Sequence, residues 1–378
     1  STQQETLFPY TTLFRSPDKF DGETRAHLGE AVAIRPPEAF GPALDSLSGK
    51  RAMADRDAAP AWVGRRLDAA GAETVWARDP TILPKAIKNA AELAGARAAH
   101  RRDGAAMARF LAWLDEAAPS GALTEIAAVE TLEAIRAEDP AMRDIAFDTI
   151  CGAGGHGAIV HYRVTRETDR PVRPGELLLV DSGAQYEDGT TDVTRTIAVG
   201  EPDPEARRLA TLVLKGMIAV SRARFPERTA GRELDPLARA ALWAAGRDYD
   251  HGTGHGVGAF LNVHEGPQSL SRRGAEPLKP GMILSNEPGC YIEGRFGIRI
   301  ENLVAVAEPG EVEGGDRRMM GFETLTLAPI DRALIDPALL APEERAWLDA
   351  YHARVAAEIG PLVDAPVRAW LDRACAPL

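Results

Sequence analysis

Two stretches of the chain repeat one pattern: an apolar strand ending in an acid, a turn, and a second strand carrying another acid. The first is LLLVD running into DSGAQYEDGTTDVTRT, with Asp181 and Asp192; the second is SNEPG followed by FGIRIEN, with Glu287 and Glu301. Strands joined through such a turn form a hairpin, which can bring both carboxylates to one site. Alternation along DVTRTIAV puts Asp192, Thr194 and Thr196 on one face and Val193, Ile197 and Val199 on the other, so the acid shares its face with hydroxyls able to orient it. In GIRIEN, Arg299 and Glu301 share a face while Ile298 and Ile300 take the other. An acid within an apolar strand needs a compensating charge: a metal, with Arg299 as an outer partner, or simply an Arg–Glu surface pair.

The segment HGTGHGVG sets His251 and His255 four apart among glycines, and His264 follows in NVHEGP. Its glycine spacing is not the G-x-G-x-x-G of a dinucleotide loop, and no histidine stands three residues after His264-Glu265, so the zinc-protease helix motif is absent. Glycines beside histidines let the backbone pass close to a metal or ligand; the plainer alternative is a flexible loop with incidental histidines. Asp181 or Asp192 taken alone also reads as a turn residue. Together, four carboxylates and an imidazole form a hard, oxygen-rich set suited to Mn, Co or Zn rather than to a thiolate-bound zinc. Carboxylates shared by two cations can hold them about 3.5–4 Å apart, an arrangement that generates hydroxide near neutral pH and clamps a substrate oxygen.

The elements that must position these residues are blocks of helix and strand, an α+β plan. Pro84 is expected to open a helix whose stripe runs through Ile87, Ala91, Ala94, Met107, Phe110, Leu111 and Leu114. Thr124 is expected to cap a helix ended by Pro140, Pro204 to open another, and Asp235-Pro236 to start a fourth that Gly246 stops. Strands are expected at 177–181, 192–199, 282–287, 297–306 and 324–329. Residues 1–80, with prolines at 9, 17, 36, 37, 42 and 60, read as an irregular remnant or linker. Residues 331–378 read as a helical extension packing through Leu340, Trp347, Tyr351, Leu362 and Trp370.

The net charge of -12 repels a phosphate backbone and argues against nucleic acid as a partner. Cys151, Cys290 and Cys375 form no CxxC pair, which fits a reducing cytoplasm. No apolar run is long enough to span a membrane, and the start lacks a secretion signal.

The order D, D, H, E, E, with HGTGHGVG, NVHEGP, NEPG and FGIRIEN, resembles the pita-bread metallopeptidases and, among them, the Xaa-Pro aminopeptidases. The similarity runs from about Leu83 to the C-terminus and includes GAIVHY, VLKGMIAVSRARFP and the stretch from GFETLTLAPI onward. It implies a pita-bread domain over residues 81–330, two curved antiparallel half-sheets with helices outside. It further implies two divalent metal ions, Mn²⁺ with Co²⁺ or Zn²⁺ as alternatives. Asp181 and Asp192 would bind one, His255 and Glu287 the other, and Glu301 would bridge them.

By the same resemblance, a hydroxide between the metals attacks the carbonyl of residue one, Glu287 shuttles the proton and His264 stabilises the oxyanion. His161 stands with them as a third catalytic group. His161, His251 and His264 match the family's substrate-site histidines, with His255 and Arg299 also placed beside the substrate. The implied partners are peptides with proline at position two and a second copy in a homodimer. Longer members carry two domains before the catalytic one; here about 80 residues precede it, so the first is expected to be absent and the second truncated, with a start that matches no recognised segment. His156 and Cys290 stand where the family has other residues. A prolidase, a methionine aminopeptidase and a non-catalytic binding module of the same fold are the rival readings.

Overall fold

The computed structural model describes residues 11–378 and divides into two compact units, Ser1–Thr81 and Ile82–Leu378. Residues 1–10, the beginning of the stretch expected to be irregular, lie outside the described residues.

The first unit alternates strand and helix: β1 (Thr11–Phe14), α1 (Gly22–Leu28), β2 (Val32–Arg35), α2 (Phe40–Asp45), β3 (Arg51–Ala54), α3 (Ala61–Ala70) and β4 (Glu73–Trp76). β1 pairs with β2 and β3 with β4, both in parallel. The described part is therefore regular. The prolines that suggested otherwise open elements instead of breaking them: Pro17 and Pro37 stand first in short 3-10 turns and Pro60 caps α3.

The second unit begins with α4 (Ile82–Ala86), α5 (Ala90–Ala117) and α6 (Glu125–Ala137). Pro84 lies inside the short α4, and the long helix starts later because Asn89 accepts from the N–H groups of Ala91 and Glu92 while Glu92 accepts from that of Asn89. Next come β5 (Met142–Ile145), β6 (Ile150–Ala153), β7 (Leu177–Ser182), β8 (Ala184–Tyr186), β9 (Gly189–Thr190) and β10 (Val193–Ala198). Helices α7 (Pro204–Ser221) and α8 (Gly231–Ala244) follow. α8 starts ahead of Asp235-Pro236 because the Glu233 carboxylate accepts from the Ala230 N–H. The remaining elements are β11 (Gly254–His255), β12 (Ser269–Leu270), β13 (Ile283–Asn286), β14 (Gly289–Ile292), β15 (Phe296–Arg299), β16 (Asn302–Val306), β17 (Phe322–Thr324), α9 (Pro342–Ile359) and α10 (Ala365–Ala374).

Two halves of this unit repeat one course. β7 pairs antiparallel with β10, and the chain between them makes the β8–β9 hairpin; β13 pairs antiparallel with β16, and between them lies the β14–β15 hairpin. The direct hairpin expected between Asp181 and Asp192 is thus an excursion with a hairpin of its own. Gly183 permits it, since a Cβ there would lie 2.0 Å from the Thr191 carbonyl oxygen. The strand expected over 297–306 is broken at Ile300–Glu301, because its first part pairs with β14 and its second with β13. The strand expected over 324–329 is confined to Phe322–Thr324.

Helices back both halves. Phe110, Leu114 and Leu132 of α5 and α6 pack with Leu178, Val180 and Val193 of β7 and β10. Leu209, Val213 and Met217 of α7 share a core with Cys290 and Ile298, and Leu348, Val355 and Leu371 from α9 and α10 enter that same core. Leu362, expected to pack, is 47% exposed. Antiparallel half-sheets covered by helices make this an α+β pita-bread fold.

Candidate metal centre

Each acid sits where a strand stops or breaks. Asp181 lies opposite Thr194 in the β7–β10 ladder, and Asp192 immediately precedes β10. Glu287 follows β13, its N–H donating to the Thr253 carbonyl at 2.7 Å. Glu301 occupies the break between β15 and β16, where its N–H donates to the Thr194 carbonyl at 3.2 Å and joins the two halves. Ser285 links the His255 backbone to Glu287: its hydroxyl accepts from the His255 main-chain N–H and donates to Glu287 Oε1, both at 2.9 Å.

These residues line one cavity of about 360 Å³, with His161, His251, His264 and Arg299 also on its wall and Phe147, Ile150 and Val160 as its apolar part. All nine residues singled out from the sequence therefore meet there. Among the described residues, Asp192, His255 and Glu301 offer ligand atoms within 4.8 Å of one another. His255 Nε2 lies 3.4 Å from Asp192 Oδ2 and 3.5 Å from Glu287 Oε1. Its Nδ1 is 3.0 Å from the Gly256 carbonyl oxygen, so Nδ1 carries the proton and Nε2 faces the acids.

The donor set fits divalent cations. Asp181 Oδ1, Asp192 Oδ1 and Glu301 Oε1 are buried without a hydrogen-bond partner, an expensive state for carboxylate oxygens unless a cation completes it. Four acids face Arg299 and His255, so negative charge is in excess even with the imidazole protonated. Burial and then the Asp181 and Glu287 charges raise Asp192 to about 7, against the pull of His255. Burial and neighbouring acids likewise raise Glu287 and hold Glu301 well above the ordinary carboxylate range. Burial pulls His255 down, yet Asp192 and Glu287 hold it up at about 9.

Arg299, 2% exposed, spends its guanidinium on the protein. It donates to Asp181 Oδ2 at 2.6 Å, to the Tyr291 hydroxyl at 2.7 Å and to Thr194 Oγ1 at 3.2 Å, and Thr194 Oγ1 in turn donates to Glu301 Oε2 at 2.7 Å. The Tyr291 hydroxyl lies 2.9 Å from His251 Nε2, whose Nδ1 is 2.8 Å from the Gly252 carbonyl oxygen. Burial, with the Arg299 charge, lowers His251 to about 4, so its neutral ring donates from Nδ1 and accepts at Nε2. Burial and the His255 charge also lower His264, whose ring meets that of His255 edge-on at 4.3 Å. Tyr291 and Ser285 were not foreseen; the only trace of Tyr291 is its alternation with the buried Cys290 along β14. His156 lies elsewhere, with Nδ1 2.9 Å from the buried Glu125 carboxylate.

Fold and site together define a two-halved pita-bread domain with an oxygen-rich cation centre. The chain belongs to metallopeptidase family M24, which residues 94–308 match, while residues 318–378 match the C-terminal region of that family. Residues 7–92 match the creatinase/prolidase N-terminal domain, which assigns the start that sequence reading left unmatched. A Laccaria bicolor protein named "Probable Xaa-Pro aminopeptidase P" is 45% identical over 94% of this chain and 57% of its own length. The crystal structure of an X-prolyl aminopeptidase from Caenorhabditis elegans, described as a cytosolic enzyme with a di-nuclear active site, superposes with a TM-score of 0.90 at 35% identity, over 97% of this chain and 62% of that one. A prolidase from Pyrococcus furiosus, with a TM-score of 0.67 at 24% identity over 83% and 86% of the two chains, shows the shared fold. The chain thus spans 57% and 62% of the first two relatives. Among the described residues no helix is long and apolar enough to cross a membrane.

Proposed function

We propose that the chain carries the active centre of a metal-dependent aminopeptidase that hydrolyses the bond between a peptide's first residue and a proline at position two. One observation carries this reading: buried, unpartnered oxygens of Asp181, Asp192 and Glu301 meet His255 and Glu287 in a cavity whose wall also holds three further histidines. Asp181 and Asp192 would hold one divalent ion, His255 and Glu287 the other, with Glu301 shared; Mn²⁺ is the first choice and Co²⁺ or Zn²⁺ the alternatives. When bound, such ions make water a nucleophile near neutral pH and polarise a carbonyl.

The chain's own groups do the rest. Glu287, steadied by Ser285, takes and returns the proton. His264, kept neutral by its surroundings, donates an N–H to the oxygen that gains charge. Proline makes the scissile amide tertiary, with no N–H to donate, so the site must offer a ring-sized wall and demand no such bond. His161 and His251, which line the cavity with Phe147, Ile150 and Val160, would be that wall, and His161 would also assist the chemistry. Arg299, with its donors on Asp181, Tyr291 and Thr194, orients these groups instead of touching substrate.

The test is a peptide panel with metal analysis. Arg-Pro-Pro peptides should be cut after residue one, the same peptides with Ala at position two far more slowly, and His264→Ala should lower kcat more than it raises KM. Equal cleavage of Met-Ala peptides, or cleavage of Xaa-Pro dipeptides alone, would replace this activity with that of a rival. No bound metal together with no cleavage would support the binding-module reading. A cytoplasmic setting is supported by Cys151, Cys290 and Cys375, all buried and unpaired. Light scattering on the same preparation tests for a homodimer.

A further inference from the structure

Leu261 stands in the left-handed region at φ 70, where L side chains are disfavoured, and its side chain is 65% exposed. Neither feature helps the fold, yet both are held in place. The Leu261 N–H donates to Gln185 Oε1 at 2.8 Å, an oxygen that also accepts from Thr190 Oγ1 at 2.6 Å, and Gln185 itself is 2% exposed. The Gly258 N–H closes the turn onto the Asn262 carbonyl at 2.8 Å. Phe260, the preceding residue, is 38% exposed, and three residues after Leu261 the chain enters the cavity wall as His264. On the other segment that supplies a wall histidine, Ile159 is 55% exposed just before Val160 and His161. Both segments therefore carry large exposed apolar side chains two to four residues from a wall histidine, and one of them does so on a backbone kept in an unfavourable conformation, the kind of outlier from which a functional role is inferred.

We propose that Phe260, Leu261 and Ile159 form an apolar lip that receives an apolar side chain of the peptide next to its proline, and so set which peptides are preferred. The proposal rests on the reading of the cavity as a peptide site. Its chemistry is burial of one aliphatic or aromatic group against the lip, which a polar residue at that position cannot supply.

The test is Leu261→Gly in the full chain. Glycine adopts φ 70 without strain, so the melting temperature should not fall and a change in binding cannot be blamed on misfolding. Binding is measured by fluorescence anisotropy in chelator, where no peptide is consumed, with C-terminally labelled peptides of three kinds: Leu-Pro-Ser, Ser-Pro-Leu and Ser-Pro-Ser at their first three residues. One Leu-bearing peptide should bind the native chain roughly five- to tenfold tighter than Ser-Pro-Ser, identifying the residue received, and Leu261→Gly should abolish that difference while leaving Ser-Pro-Ser unchanged. No preference in the native chain, a preference that survives Leu261→Gly, or no detectable binding of any peptide would overturn the lip. A preference that vanishes in the variant, combined with no cleavage by the metal-loaded chain, would leave the lip standing and refute the hydrolase.

Discussion

Replacing Asp192 by Asn should stabilise the metal-free chain and destabilise the metal-bound one, a crossing that an ordinary structural aspartate would not show. Asp192 is 3% exposed and its Oδ1 has no partner. Burial first, and then Asp181 and Glu287, raise it from 3.8 to about 7. The folded value lies above the unfolded one, so the cost of ionising Asp192 is absent below 3.8, grows as pH rises and is complete above about 7. At pH 8 it amounts to about 4 kcal/mol, already softened by the His255 charge. Asn escapes that cost but places an amide N–H₂ where an oxygen stood, about 1–3 kcal/mol if it finds no acceptor. The balance is a gain of about 1–3 kcal/mol, or roughly 2–6 °C in Tm for a unit of this size. With Mn²⁺ at about a thousand times its Kd, the native chain gains about 4.1 kcal/mol, most of which the variant forgoes because it has lost a charge and a ligand oxygen, enough to outweigh its gain in chelator. Melting curves at pH 8 in chelator and in saturating Mn²⁺ measure all four states. If the Asp192→Asn variant melted below the native chain in chelator, or gained as much from Mn²⁺, the charge-deficit argument would be wrong. Chelation should abolish activity and Mn²⁺ or Co²⁺ restore it, and the variant should keep less than about a tenth of the native rate.

Arg195 is 1% exposed and donates to Pro329, Thr194, Glu301 and Ala328 carbonyls, to Asn302 Oδ1 and to the Tyr351 hydroxyl; Arg195→Met should cost about 3–5 kcal/mol by urea unfolding, and a loss below about 1 kcal/mol would count against its joining role. Cys290 is 1% exposed in the core beside α7, and burial raises its thiol pKa, so thiol reagents should react slowly in the native chain and promptly in urea; rapid native reaction that also stops activity would contradict this. His352 accepts from the Ile330 N–H at Nε2 and is lowered from 6.5 to about 4 by burial and by the Arg195 and Arg332 charges. A lowered His favours folding only while neutral, so about 3 kcal/mol should be lost as pH falls from 6.5 to about 4, and His352→Gln should flatten that part of the Tm–pH curve; a parallel curve would refute it.

The sequence by itself determined the ingredients and their local setting. Apolar strands ending in Asp181 and Glu287, alternation that puts Asp192 with Thr194 and Thr196, and glycines around His251 and His255 are properties of neighbouring residues, and local periodicity records them. The cap at Thr124 and the helix start at Pro204 are legible for the same reason. The start of α5 is marked in the sequence too, by the Asn89 and Glu92 pair, although the apolar stripe extends back to Ile87 near Pro84.

Only the tertiary structure decided how those ingredients meet. GIRIENLVAV reads as one strand; it breaks at Glu301 because β15 and β16 take different partners, and the break carries the acid to Thr194, 107 residues earlier. Arg299 finds Asp181 across 118 residues and reaches His251 through Tyr291, a link with no signature in spacing. The regular course of residues 11–76 was hidden because a proline that opens an element and one that breaks it look alike until the pairing of β1 with β2 and β3 with β4 is known. Strand partnership is chosen by the burial of whole faces, a property of the assembled halves, so the unpartnered oxygens and the excess negative charge that call for a metal exist only once both halves have closed on the cavity.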